Sequence, residues 1–197
     1  MRRLEITPGF IAALCLLWLT DQQALIAPLL AAVAAHEAGH LIALRLLGAR
    51  VLSLRLGFLD ARIRTGPLGY RQEMLAALAG PAVSVAGCCL LRTRAPGFAA
   101  ISLLLGLFNL LPLWPLDGGR ALRAALALHG SLRLADIVCR WTGRMICAAG
   151  LLGALGCAWK YGAGLLPVLI WGMVFLRLEG CEGSCICDRS RVQYIEL

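Results

Sequence analysis

Six apolar stretches, near residues 8–22, 23–47, 70–91, 97–113, 145–160 and 163–178, leave little of this sequence to fold in water. A helix needs about 20 apolar residues to cross the hydrocarbon of a bilayer. Within that hydrocarbon a helix satisfies all of its backbone hydrogen bonds by itself. The composition agrees: 60% of the 197 residues are apolar, 15% are charged, and mean hydropathy is +0.79. A soluble domain carries a larger charged fraction. No signal-peptide cleavage pattern follows the first run, which is read as a retained anchor. The expected fold is therefore an all-α polytopic membrane protein of about six transmembrane helices. It forms one domain over 1–180, with its core at 23–128 and a short cytoplasmic tail at 181–197, and shows no internal repeat or low-complexity linker.

The net charge of +8 follows from the same plan, because lysine and arginine collect on the cytoplasmic side of membrane helices. With the N-terminus inside, six spans put Arg2, Arg3, Arg45, Arg50, Arg55, Arg62, Arg64 and Arg71 in the cytoplasm. Arg120, Arg123, Arg133, Arg140, Arg144, Arg177, Arg189 and Arg191 join them. Only Arg92, Arg94 and Lys160 fall outside, which gives 16 against 3 of the 19 basic residues. Both termini are then cytoplasmic. Nucleic-acid binding is the competing reading of the charge, and the arginines argue against it: they flank apolar spans and form no patch with interleaved aromatics. Of the nine cysteines, Cys15, Cys88, Cys89, Cys139, Cys147 and Cys157 are scattered through apolar runs, where cysteine acts as a small hydrophobe. Cys181, Cys185 and Cys187 cluster in the tail. Structural zinc wants four ligands, the tail offers three, and reduced thiols are expected in the cytoplasm.

The polar residues inside the apolar runs carry the chemistry, because ionisable groups at membrane depth are costly. Residues 34–48 read AAHEAGHLIALRLLG. On a helix His36 and His40 share one face, one turn apart, and can bind one zinc ion. Glu37 lies beside that metal and can take a proton from a zinc-bound water, then pass it to a leaving amine. The alternative is a pair of hydrogen-bonded core histidines with a surface glutamate, which would leave three polar groups in an apolar span to be partnered in other ways. Gly39 permits close approach, by a metal-bound substrate or by another helix.

Catalytic zinc takes three protein ligands. His129, the remaining histidine, sits beside Gly130 near an expected helix end and reads as a surface or capping residue. Most acidic residues lie near the termini, in loops, or, like Glu73 and Asp136, close to arginines at helix ends. Asp117 remains, in LLLGLFNLLPLWPLDGGRALRAAL at 103–126. Pro112 and Pro115 prevent a continuous helix there, and Gly118 and Gly119 free the backbone to turn. Broken backbone at membrane depth is tolerated where it is buried in protein or lines a wet cavity. Asp117 is then either the third ligand or an N-cap for a helix opening at Gly118, and the two are compatible.

HEAGH in an early span, FNLLPLWPLDGGR in a later one and Ala79-Gly80-Pro81 between them resemble the site-2 proteases, the intramembrane zinc metalloproteases of peptidase family M50. The resemblance covers roughly residues 8 to 178. It implies a metalloendopeptidase with one Zn2+ held by His36, His40 and Asp117, and with Glu37 as the catalytic base. It also implies that Asn109 holds the substrate backbone in extended form; an interhelical hydrogen bond is the other use for that amide. The compact six-span plan looks most like the sporulation-type branch, without the CBS module common there and without a PDZ insertion.

Residues 51 to 65 alternate apolar with polar positions, a strand signature. A small membrane-edge β-hairpin or sheet is expected near 50–66, where an exposed edge could pair with an unwound substrate. An amphipathic surface loop is the other reading. The expected function is cleavage of a transmembrane segment of a membrane-protein substrate, in a bacterial cell membrane, with no nucleic-acid partner and with a regulatory partner left open. A membrane zinc carrier or sensor is the rival, needing His36, His40 and Asp117 but not Glu37. A scaffold without activity is a further rival, against which the intact set of ligands and base speaks.

Overall fold

The computed structural model describes residues 4–6, 24–56, 61–114, 116–161, 168–169, 171–173 and 193–196. Five helices run through them: α1 (Ile26–Leu46), α2 (Tyr70–Leu91), α3 (Pro96–Asn109), α4 (Asp117–His129) and α5 (Leu132–Tyr161). Three are long and apolar enough to cross a membrane: Ile26–Leu46, Tyr70–Leu91 and Leu132–Lys160. Their outward residues include Ile42, Leu46, Leu90, Leu152 and Trp159, all exposed, which suits a lipid surrounding. The expected spans 8–22 and 163–178 lie largely outside the described residues, and the Cys181, Cys185 and Cys187 cluster lies wholly outside them.

Two boundaries differ from the sequence reading. The run at 97–113 is a 14-residue helix that stops at Asn109, because Pro112 cannot continue it. Pro96 opens that helix at its first turn, where its missing N–H costs nothing. The run at 145–160 belongs to a 30-residue helix that starts at Leu132. Arg133, Arg140 and Arg144 interrupt the hydropathy of its first half without interrupting the helix.

Helix α2 is the hub: α1, α3 and α4 all pack on it, and α5 packs on α4. Glycines set how closely these elements approach. A Cβ at Gly39 of α1 would stand 2.9 Å from both the Ala79 carbonyl oxygen and Val83 Cγ2 of α2. Gly39 therefore serves helix packing, the second of its two readings. Below that crossing Leu44 is fully buried against Ala76, with Leu41, Leu47, Ala49 and Leu68 around them. This contact fixes the register of α1 on α2 one helical turn below His40.

The stretch between α3 and α4 is the break expected from its prolines. Leu110 N–H closes α3 on Gly106 O, and Leu111 and Leu113 make short turns before α4 begins. Leu113 is fully buried and packs with Cys147 of α5, beside Leu111, Leu116, Ile146 and Trp171. Gly118 and Gly119 do not act as left-handed turn residues: the described positive-φ positions are Ala24 and Gly48. They sit in the first turn of α4 so that it can press onto the preceding segment. A Cβ on Gly118 would lie 2.1 Å from Leu110 O, and one on Gly119 would lie 2.4 Å from Leu113 O.

Four short strands form a sheet in the order β1-β2-β3-β4: β1 (Leu4–Ile6), β2 (Val51–Leu56), β3 (Ala61–Thr65) and β4 (Gln193–Glu196). β2 and β3 pair antiparallel, β1 lies parallel to β2, and β4 lies antiparallel to β3. Both flanks of the β2–β3 pair are thus occupied, and the outer edges of the sheet are those of β1 and β4.

The close packing of α4 predicts a contrast between two glycines. Gly119→Ala drives a methyl into backbone and is expected to destabilise by about 1–3 kcal/mol or more. Gly153→Ala in α5, with nothing within 4 Å of its Cβ, is expected to leave the melting temperature in detergent unchanged or slightly raised, by roughly the helix-propensity gain of alanine. Thermal unfolding of the two purified variants checks this.

Candidate metal centre

His36 and His40 project from the middle of α1 onto α2, and both are almost fully buried. Each imidazole is oriented by its Nδ1. His40 Nδ1 donates to the Ala76 carbonyl oxygen at 2.8 Å. His36 Nδ1 pairs with Ser84 Oγ, also at 2.8 Å. Pro81 lies inside α2. Lacking an N–H, it cannot bond to the Ala77 carbonyl, which opens the ladder next to the carbonyl that His40 uses. Gly80 supplies the room for the His40 ring, since a Cβ there would fall 2.1 Å from His40 Nε2. The Ala79-Gly80-Pro81 segment thus has a local purpose: it shapes one helix wall around one imidazole.

With both Nδ1 atoms engaged, both Nε2 atoms turn to the same point. They stand 3.3 Å apart, with the rings edge to face at 74°. Asp117, the first residue of α4, brings Oδ2 to 3.1 Å from His36 Nε2 and 3.2 Å from His40 Nε2. Its N-cap is Leu116, in extended conformation, with no side-chain capping bond. Asp117 therefore does not cap α4. It points from the helix start to the histidines.

The donor chemistry fits a cation. A carbonyl can only accept, so His40 Nδ1 carries the proton and the Nε2 of the neutral ring presents a lone pair. That lone pair faces a carboxylate oxygen and a second imidazole nitrogen. In a tetrahedral zinc site with bonds of about 2.0–2.1 Å, ligand atoms are about 3.3–3.4 Å apart. The three separations here come close to that triangle. His36, His40 and Asp117 are also the one group among the described residues whose ligand atoms gather tightly enough to hold a metal ion.

Glu37 is on α1 beside the first histidine, and its Oε2 is buried without a hydrogen-bond partner. Asn109 is the last residue of α3, and its Nδ2 donates to Leu105 O at 3.0 Å. His129 is exposed in the last turn of α4, with Nδ1 donating to Ala125 O, well apart from the metal group. Asp136 pairs with Arg123 at 2.6 Å, as its position near arginines suggested. Glu73 does not follow that pattern. It is buried in the first turn of α2, and its Oε2 has no partner. Arg120, buried and 3.7 Å from Asp117 Oδ1, was likewise counted only among cytoplasmic charges. Ser84, Glu73 and Arg120 are the residues around the site that the sequence does not single out, whereas Gly80 stands in the Ala79-Gly80-Pro81 motif without its role being legible there. The one available signal among the three is Ser84, a lone hydroxyl in an apolar run.

Comparison with known proteins bears on the same elements. Residues 94–148, which contain Asn109 and Asp117, match the profile of Peptidase family M50. The structure superposes on the Site-2 Protease from Methanocaldococcus jannaschii with a TM-score of 0.65. That match has 23% sequence identity and covers 90% of this chain and 89% of that one. The chain has the site-2 protease fold. Its sequence relatives include Rip3 of Mycobacterium tuberculosis, in strains Erdman and H37Rv, which carries a zinc metalloprotease name. Identity is 37% over 166 residues, or 73% of this chain, and the match spans 40% of the length of those relatives.

Second contacts of this kind tune metal affinity. Ser84→Ala is expected to weaken zinc binding by about 10- to 100-fold with little change in fold. Gly80→Ala, which puts a methyl on His40 Nε2, is expected to weaken it further. Competition titration of the purified variants against a chromogenic zinc chelator checks both, and wild-type affinity in Gly80→Ala would contradict the geometry.

Proposed function

We propose that the chain is an intramembrane zinc endopeptidase that cleaves a transmembrane segment of a membrane-protein substrate. One observation carries the reading: two imidazoles from α1 and a carboxylate from the start of α4 converge, with Glu37 beside them holding an unpartnered oxygen. The M50 match and the site-2 protease fold support it. When bound, zinc lowers the pKa of a water to about 7 and polarises the scissile carbonyl.

The remaining steps belong to the chain. Glu37 accepts the proton of the attacking water and delivers it to the departing amine. The Ala76 carbonyl holds His40 in the tautomer that leaves its Nε2 to the metal, and Ser84 orients the His36 ring with its Nε2 toward the same point. Asn109, at the end of α3 where the helix breaks, is assigned to the substrate backbone, which must be extended to reach the site; its amide can both donate and accept. Strand addition to the sheet would require a substrate to pair with an outer strand or to displace β4, because the inner pair is already flanked.

The proposed topology has six spans with both termini cytoplasmic, arranged as one domain over 1–180. His36 and His40 lie on the half of α1 that ends at Arg45, so the metal belongs near the cytoplasmic third of the membrane. The proposed substrate class is a transmembrane helix delivered within the bilayer, as the site-2 protease fold supports.

Glu37→Gln keeps the side chain's size and removes its basicity. It is expected to lower cleavage of a co-expressed single-span substrate by about 100-fold or more while zinc content stays at the wild-type level. Undiminished cleavage would overturn the mechanism. A wild-type protein that binds zinc stoichiometrically and cleaves no membrane substrate would favour the carrier or sensor reading.

A further inference from the structure

Arg120 is 3% exposed, and neither NH1 nor NH2 has a hydrogen-bond partner. An unpaired guanidinium in a protein interior is costly and persists only where opposite charge surrounds it. Asp117 Oδ1 is its ion-pair partner, and the helix that carries Arg120 packs on α2, where Glu73 is buried with an unpartnered Oε2. Asp117 is three residues back on the same helix and therefore on the same face. Its two oxygens are divided. Oδ2 stands within 3.2 Å of both imidazole Nε2 atoms, whereas Oδ1 stands 3.7 Å from Arg120 NH1. Glu73 comes from a different helix, α2, and is 7% exposed.

We propose that Arg120 is a positioning residue for the metal centre: it holds Asp117 Oδ1 so that only Oδ2 faces the histidines, and Glu73 is the countercharge that keeps Arg120 buried there. Without Arg120 the positive charge 3.7 Å from Asp117 Oδ1 is lost. Asp117 is also free to rotate, so that both of its oxygens reach the metal or neither does. The orphaned nitrogens do not form a ligand site, since their exposure is negligible. Their role is electrostatic and orienting.

This inference rests on the reading of His36, His40 and Asp117 as metal ligands and needs no cleavage of a substrate. The test uses the full-length protein in detergent, with cobalt(II) as the probe. Its visible absorption reports ligand geometry, and its titration gives affinity. Arg120→Met is expected to weaken cobalt binding by about ten-fold or more and to change the visible spectrum. In an Asp117→Ala background the same substitution is expected to add nothing, because Arg120 acts through Asp117. Glu73→Gln combined with Arg120→Met removes the countercharge together with the charge it balances and is expected to regain part of the lost affinity.

Arg120→Lys keeps the charge and loses the fork. It is expected to fall between wild type and the methionine variant, and it is the form to read should Arg120→Met fail to fold in a thermal melt. Wild-type affinity and spectrum in both the Lys and Met variants, or strictly additive effects in both double variants, would overturn the proposal. Wild-type protein that takes up no cobalt would overturn the metal reading and this proposal together. Wild-type protein that binds cobalt but cleaves nothing would overturn the peptidase reading alone.

Discussion

Lone pairs held about 3 Å apart in a protein interior repel one another unless a positive charge lies among them. At the centre of this molecule His36 Nε2, His40 Nε2 and Asp117 Oδ2 meet in such a triangle. The Nδ1 of His40 is committed to the Ala76 carbonyl, which fixes that ring's tautomer, whereas the Ser84 hydroxyl can donate to or accept from His36 Nδ1. The arrangement is stable as a metal site, or with a proton on a histidine Nε2 donated to the carboxylate. The separations, close to the edges of a tetrahedral zinc site, favour the metal.

The remaining architecture can be understood as the means of holding that triangle at depth. Helices that cross a membrane gain little from hydrophobic contact with each other, because lipid is as apolar as leucine. They approach instead through small residues and interhelical hydrogen bonds. Gly39 and Gly80 let α1 and α2 come together where the histidines sit, and Ser84 and Ala76 supply the bonds. Gly118 and Gly119 let α4 begin against the segment that precedes it, which is pinned on α5 through Leu113 and Cys147. The glycine contacts fix backbones and the hydrogen bonds fix the imidazoles, so the three groups arrive with little freedom left to lose.

The three converging residues, His36, His40 and Asp117, were legible in the sequence because their signal is local. Two histidines four apart in an apolar run, and one aspartate after a double proline break, are conspicuous where charge is rare. The long apolar helices were legible for the same reason. What supports the ligands was not. Ser84 lies 48 residues from the ring it orients, and a hydroxyl in an apolar helix has many possible partners. Gly39 could be read only as close approach until Ala79 and Val83 were seen beneath it. By sequence Arg120 counts among the cytoplasmic charges and Glu73 among acids close to arginines at helix ends. Only the packing of α4 on α2 shows them buried. The helix from Leu132 was truncated in the reading for a related reason, since arginines along one helix lower a hydropathy average without breaking the backbone.

The three converging side chains come from an apolar helix long enough to cross a membrane and from the first turn of a shorter, amphipathic one. The central claim is that one metal ion joins α1 to α4. X-ray absorption at the zinc edge of the purified full-length protein tests it most directly. The account predicts one zinc per chain with two imidazole nitrogens and a carboxylate oxygen in its first shell, and loss of the imidazole scattering in a His36→Ala, His40→Ala variant. Zinc bound through sulfur, or a shell that persists unchanged without the two histidines, would contradict it.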